Sequence, residues 1–184
     1  MLETNFYPFP EISTERLLLR RVVPGDAPSI MKLRSNEVVM QYIDREKIKT
    51  TEEALAFVQT INDSLENNNG ISWAVTLRED PQTLIGTIGF WRMIKQHHRA
   101  EIGYMLHPDH WNKGIMKEAI LAVIEFGFDH IQLHSIEAHI NPANTASAAI
   151  LERTGFVREA YFKEDYFFRG KFLDTAIYSL LSPY

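Results

Sequence analysis

The 184-residue sequence predicts a mixed α/β fold in which a mostly antiparallel sheet is flanked by helices. Three patterns predict it. Residues 71–106 form three alternating runs joined by short connections, as an antiparallel meander requires. Residues 114–131 carry apolar side chains at helical intervals. Strand-like and helix-like runs then interleave toward residue 181, which places the chain in the α/β class. With 45% hydrophobic residues and no repeat, low-complexity tract or Pro/Gly linker, a single domain over residues 1–184 is expected.

The elements follow in order. Residues 15–23 (ERLLLRRVV) are β-rich and stop at Pro24-Gly25-Asp26, a turn that also launches a helix. Residues 27–42 read as irregular helix. Thr50 caps a clearer helix, with Glu53 in the capping-box position and an apolar stripe of Leu55, Val58, Ile61 and Leu65; Asn67-Asn68-Asn69-Gly70 stops it. Ile71, Trp73, Val75 and Leu77 alternate as a strand, residues 84–93 return after the turn at residues 80–83, and residues 100–106 make the third run. Pro108-Asp109-His110 breaks the pattern. Ile120, Val123, Ile124, Phe128 and Ile131 form one face of the helix from Gly114. A strand at 135–140, a turn at Asn141-Pro142-Ala143-Asn144, a short helix at 147–153 closed by Gly155, and strands at 157–168 and 172–181 complete the chain.

Composition removes several functions. A net charge of −5 makes nucleic acid and anionic membranes poor partners and suits an amine or a basic peptide. Without cysteine there is no disulfide and no thiolate nucleophile, which fits a reducing cytoplasm. MLETNFYPFPEI has an acid and prolines where a signal peptide has a cationic end and an apolar run. The apolar run at 119–124 ends at Glu125, so a soluble, cytoplasmic protein is expected. The seven histidines include His97-His98, His107 and His110 in loops, but no zinc-ligand spacing accompanies them and no metal is expected.

The stretch that carries chemistry is strand, tight turn, helix. It runs from Glu101-Ile102-Gly103-Tyr104-Met105-Leu106 to Trp111-Asn112-Lys113-Gly114-Ile115-Met116-Lys117-Glu118-Ala119. A helix start offers unpaired N–H groups and a partial positive charge, which suit a diphosphate; glycine at 114 lets an anion approach the backbone. A glycine before an amphipathic helix is also an ordinary structural feature.

Residues 111–119 resemble the acetyl-CoA loop of the GNAT superfamily (Q/R-x-x-G-x-G/A), above all its branch of ribosomal-protein N-acetyltransferases. Thr14-Glu15-Arg16-Leu17, Ile85-Gly86-Thr87-Ile88-Gly89, Glu101-Ile102-Gly103-Tyr104, Asn144-Thr145-Ala146-Ser147 through Gly155-Phe156, and Gly170 with Asp174 and Tyr178 match at the right intervals. The similarity spans about residues 12–182. Met116 stands where the family prefers Gly or Ala, and Asn112 where Gly is common; the backbone N–H survives either side chain.

The resemblance implies the GNAT acyl-CoA N-acyltransferase fold and acetyl-CoA as acetyl donor, bound by Trp111, Asn112, Lys113, Gly114, Ile115, Met116 and Lys117, with its pyrophosphate on the backbone of residues 112–116. It also implies that Met105 and Leu106 run beside the pantetheine arm, on a strand that splays from its neighbour. Asn144 would bond the same arm, or serve only as a turn residue or helix cap. The implied reaction is direct attack of a primary amine on the thioester, which needs no enzyme nucleophile. An α-amine is neutral in roughly a tenth of molecules at pH 7, a lysine amine in well under a thousandth.

Glu101 lies out of phase with Ile102 and Tyr104, on the other sheet face with Gly103 and Met105. It is the candidate base or ammonium anchor, or else a solvated strand charge. Ser147 is the candidate proton donor to the thiolate, or an ordinary first-turn serine. Tyr104 and Tyr178 read as core or pocket walls, and His139 with Glu137 as polar residues sharing a strand face. The aromatics Tyr161, Tyr166, Phe167 and Phe168 read as core, or as a homodimer contact. A protein N-terminus, perhaps ribosomal, is the first acceptor class under the resemblance. A polyamine, amino sugar or antibiotic is the alternative, and a non-catalytic acyl-CoA-binding regulator a third reading.

Overall fold

The computed structural model describes residues 1–184. Two strands, β1 (Ile12–Ser13) and β2 (Leu17–Arg21), precede three helices, α1 (Ala27–Ser35), α2 (Glu37–Met40) and α3 (Thr51–Glu66). The meander β3 (Ile71–Leu77), β4 (Gly86–Ile94) and β5 (Arg99–Leu106) follows, then α4 (Ile115–Asp129), β6 (Ser135–Ile140), α5 (Thr145–Arg153), β7 (Val157–Phe168) and β8 (Lys171–Leu181). The eight strands form one sheet in the order β1-β2-β3-β4-β5-β6-β8-β7. Every neighbouring pair is antiparallel except β5 and β6, which α4 joins as a crossover. The mixed, mostly antiparallel sheet flanked by helices is the fold class the sequence predicts.

Local chemistry accounts for the boundaries. The Asp26 carboxylate accepts from the Val23 N–H and pairs with both Nη atoms of Arg20, fixing the turn that opens α1. The irregular helix expected over 27–42 divides at Asn36, whose side chain accepts from the N–H groups of Val38 and Val39 and so starts α2 anew. The Thr50 hydroxyl caps α3 by accepting from Glu53 N–H; the Glu53 carboxylate reaches Lys49 N–H, one residue before the capping-box position. The expected stripe of α3 needs one correction. Ala54, Val58 and Leu65 are buried and Leu55 is exposed: the face that packs with Ala27, Ile30 and Leu33 of α1 carries Ala54 and Val58.

The sheet is packed on both faces. Ile71, Trp73 and Val75 of β3 join the larger core with α4, while Ala74 faces a second cluster with α1 and α3. This is the period-two alternation of a strand between two layers. Trp73 is fully buried, donates from its indole N–H to Pro10 O at 2.7 Å, and meets Phe9, Phe90 and Phe126 edge-on. Truncation there leaves a large cavity and an orphaned carbonyl. Trp73→Ala is expected to destabilise the fold by about 3–5 kcal/mol, measured by urea unfolding.

Candidate active site and cofactor groove

The parallel contact of β5 with β6 is brief. Arg99, Ala100 and Glu101 pair with Ser135, Ile136 and Glu137, and no further pair forms. β5 continues to Leu106 against β4, while β6 continues to Ile140 against β8, so the two strands diverge. Hydrogen bonding alternates along an antiparallel pair, and His107 N–H bonds Ile85 O. The main-chain groups of Tyr104 and Leu106 therefore face the opening, and those of Met105 face β4. Leu106 O is taken by the Trp111 indole N–H at 2.8 Å, which folds the loop after β5 back against the strand end. Met105 contributes its side chain to the α1–α3 face.

Beyond that loop, the N–H groups from Asn112 through Lys117 make no hydrogen bond within the chain; the next, Glu118 N–H, bonds Gly114 O and starts the regular ladder of α4. Asn112 has φ 58° and Gly114 φ 75°. Asparagine tolerates the left-handed region through local hydrogen bonding, which accounts for Asn112 where glycine is common. Gly114 is the N-cap of α4, and there a Cβ would also stand 3.3 Å from Arg16 Nη2. Met116 buries its side chain in the core, so its N–H faces the loop without the side chain obstructing it. The exposed Lys113 ammonium turns back to Asp109 O at 2.7 Å, and Lys117 is exposed.

A clamp between distant residues holds this loop. Glu118 accepts from Thr14 Oγ1 at 2.5 Å and from Arg16 N–H at 2.9 Å and Nε at 2.7 Å, while Arg16 Nη1 donates to Lys113 O at 2.8 Å. Partial burial pushes the Glu118 carboxyl upward, but the hydrogen bonds from Thr14 and Arg16 outweigh it and leave the group below its ordinary value. Two separate motif matches, Thr14-x-Arg16 and Glu118, are thus one structural unit.

On the α5 side of the opening, the buried Ser147 Oγ lies 2.8 Å from the Tyr104 hydroxyl. Burial pushes Tyr104 up to about 12, against the small lowering from Ser147, so it is a neutral hydroxyl at physiological pH. Asn144 is the N-cap of α5: its Oδ1 accepts from Ser147 N–H at 3.1 Å, which leaves its NH2 for other partners. Tyr178 is buried against Glu152, as a wall residue would be.

The other face holds the acid. Glu101 is only 6% exposed, so it is not a solvated strand charge. Burial pushes its carboxyl above the ordinary value, opposed by the charges of His139 and Arg92. Arg92 reaches it at 3.2 Å from a bulge in β4, where φ is 48°, and also covers the Trp91 ring, as does Arg45 from the α2–α3 segment. Glu137, beside Glu101 in register, pairs with Arg99 and with His139 Nε2 at 2.9 Å. Arg45 donates to the Tyr166 hydroxyl at 2.7 Å and Arg169 pairs with Glu46, tying the α2–α3 segment to the last hairpin. Tyr166 is thus a tie across this face, not core, and the exposed Tyr161 and Phe167 are not core either. The sequence marks Arg16 as part of a motif but not its contact with Glu118, and it gives no sign of Arg45 or of the convergence of Glu101, Glu137 and His139. Strand phase placed each acid on a face, but only the β5–β6 register joins the two faces into one.

No three histidine or acidic side chains group as a metal site. An open strand edge leading from a run of free amides suits a long, amide-bearing thioester with a diphosphate at its far end. That is the architecture of an acyl-CoA-dependent transferase. Residues 16–157 match the family described as an acetyltransferase (GNAT) domain. The chain is 36% identical over 175 residues to "Uncharacterized N-acetyltransferase YoaA" of Bacillus subtilis, covering 95% of this chain and 98% of that protein. It is 28% identical to a spermidine N(1)-acetyltransferase of Vibrio cholerae (92% and 95% covered) and 30% identical to the [ribosomal protein uS5]-alanine N-acetyltransferase of Escherichia coli (56% and 54% covered). A GNAT-family acetyltransferase structure from Bacillus anthracis superposes with a TM-score of 0.82 at 32% identity, over 94% of this chain and 98% of that one. The chain belongs to the GNAT family and is an acetyl-CoA-dependent N-acetyltransferase acting on an amine.

The clamp generates a pH prediction. Glu118 has a depressed folded-state pKa, so its contribution is present above its ordinary value of 4.5 and is lost as pH falls below it. Glu118→Gln is expected to cost roughly 1–2 kcal/mol at pH 7. The gap to the parent protein should shrink toward pH 4 in urea unfolding.

Proposed function

We propose that the chain is a single N-acetyltransferase domain that acetylates the α-amine of a protein or peptide N-terminus. The observation that supports this acceptor is the charge balance around Glu101. A polyamine site needs several carboxylates free of partners. Here Glu101 faces Arg92, Glu137 faces Arg99 and His139, and Glu46 faces Arg169. One buried carboxylate suits one ammonium followed by a neutral chain.

In this reading the N–H groups of Asn112, Lys113, Gly114, Ile115, Met116 and Lys117 hold the diphosphate, with Trp111 bracing the loop. The pantetheine amides pair with the free main-chain groups of Tyr104 and Leu106, while Met105 lines the acceptor side and the Asn144 NH2 reaches the arm. Acetyl-CoA supplies the activated acetyl group. Glu101 anchors the incoming ammonium or acts as its base, and Ser147, in contact with Tyr104, returns a proton to the thiolate. Polyamine acetylation is the second reading, favoured by the spermidine-acetylating relative that matches most of the chain; cofactor binding without turnover marks a regulator. No helix is long and apolar enough to cross a membrane, which agrees with a cytoplasmic enzyme. The exposed Phe162, Phe167 and Phe172 of the last hairpin support a homodimer.

Thiol release from acetyl-CoA, measured with peptide and polyamine panels, tests the acceptor: release with peptides and not with spermidine is expected. Gly114→Ala forces the loop to regain a left-handed shape on binding, at about 1–2 kcal/mol, so calorimetry should find coenzyme A bound roughly tenfold more weakly. Glu101→Gln should lower kcat roughly 10²-fold while coenzyme A affinity holds.

A further inference from the structure

His139 stands on β6 two residues beyond Glu137, which is the last β6 residue to pair with β5. Its backbone partner across β8 is Ile177, an apolar neighbour. Its ring therefore belongs to the mouth of the opening between the two strands, on the face that carries Glu101. The ring is partly exposed, at 28%, so water and a small amine can reach it. Nε2 lies 2.9 Å from Glu137 Oε2, and Nδ1 has no hydrogen-bond partner in the chain.

That pairing fixes the tautomer. A neutral imidazole beside a carboxylate donates through the nitrogen that faces it, so Nε2 carries the hydrogen and Nδ1 keeps the lone pair. Glu137 is itself held in place by its ion pair with Arg99. The arrangement is a carboxylate-oriented imidazole: a base whose second nitrogen is free, seated where a thioester emerging from the β5 edge would meet an amine.

We propose that His139, oriented by Glu137, is the base that takes the proton from the acceptor ammonium, while Glu101 holds that ammonium in place. This rests on the N-acetyltransferase reading of the opening, but not on which amine enters it. Protons and bonds balance as follows. His139 Nδ1 accepts one proton from R–NH3+ and passes it to solvent. The neutral nitrogen then attacks the thioester carbon; the C–N bond forms, the C–S bond breaks, and the second proton shed by nitrogen is matched by the one that sulfur gains through Ser147. The products are the amide, the free thiol and one released proton.

The groups that face His139 are Glu137 on its own strand, Glu101 on β5 and, through those carboxylates, Arg99, Arg92 and Arg45.

The test is the pH profile of kcat/KM for His139→Gln, His139→Ala and Glu137→Gln, with whichever amine the parent protein turns over. Coenzyme A affinity of each variant is measured alongside to show that the groove is intact. His139→Gln is expected to lose roughly 10²-fold at pH 7. The deficit should narrow as pH approaches the acceptor's own pKa, because free amine then needs no base. Added imidazole should restore part of the activity of His139→Ala, and Glu137→Gln, which leaves the ring unoriented, should lower kcat/KM while coenzyme A affinity holds. A parent-like rate and profile in His139→Gln would overturn the proposal. So would a loss of equal size at every pH without imidazole rescue, which marks a structural role. If the parent itself binds coenzyme A without acetylating any amine, the enzymatic reading fails first, and the proposal with it.

Discussion

The parallel contact between β5 and β6 lasts three residue pairs and then ends, and nearly everything at the site follows from that divergence. Ahead of it the two strands form a continuous sheet with Glu101 beside Glu137. Past it, Tyr104 and Leu106 have main-chain groups that no neighbouring strand satisfies, and His139 stands across a gap. Buried backbone groups without partners are costly, so an open edge inside a sheet is retained where a ligand supplies the missing bonds. The same opening separates the two chemistries of the reaction. The Tyr104 and Ser147 hydroxyls lie on the α5 face, and Glu101, Glu137 and the His139 imidazole lie on the other; the proposed function assigns the first to the departing thiolate and the second to the amine.

The free amides at the start of α4 depend on a second constraint. An anion site made of N–H groups works only if the loop is held open in the absence of its ligand, since a flexible loop must first be ordered. The clamp of Thr14 and Arg16 on Glu118, with Arg16 reaching Lys113 O, supplies that order from the edge of the sheet. The left-handed Asn112 and Gly114 shape the loop, and Arg16 holds it through Lys113 O while leaving the loop's N–H groups free. Arg16 remains partly exposed beside Gly114, where its positive charge adds to the partial charge of the helix start.

Much of this was legible in the sequence because it depends on local period and local chemistry. The meander, the apolar face of α4, the Thr50 cap and the phase that sets Glu101 apart from Ile102 all express interactions between residues a few positions apart. The reading failed where a longer-range contact decided. Apolar spacing puts Leu55 on the buried stripe of α3, but Ala54 is the residue that joins the α1 cluster. Asn36 divided a helix that apolar spacing alone would have continued. Glu101 was compatible with a solvated charge until the neighbouring strand and Arg92 enclosed it.

The sequence by itself determined the fold class, the placement of a glycine at a helix start, and the family, because period-two and period-3.6 patterning and a run of spaced motifs are properties of the chain alone. Only the tertiary structure decided which distant residues act together. Thr14 and Arg16 meet Glu118 from about a hundred positions away, Tyr104 meets Ser147, and Glu101 meets the Glu137–His139 pair. Those contacts arise from strand register and a crossover helix, and neither leaves a signature in local spacing, since register is set by how two separate segments bury their apolar faces together.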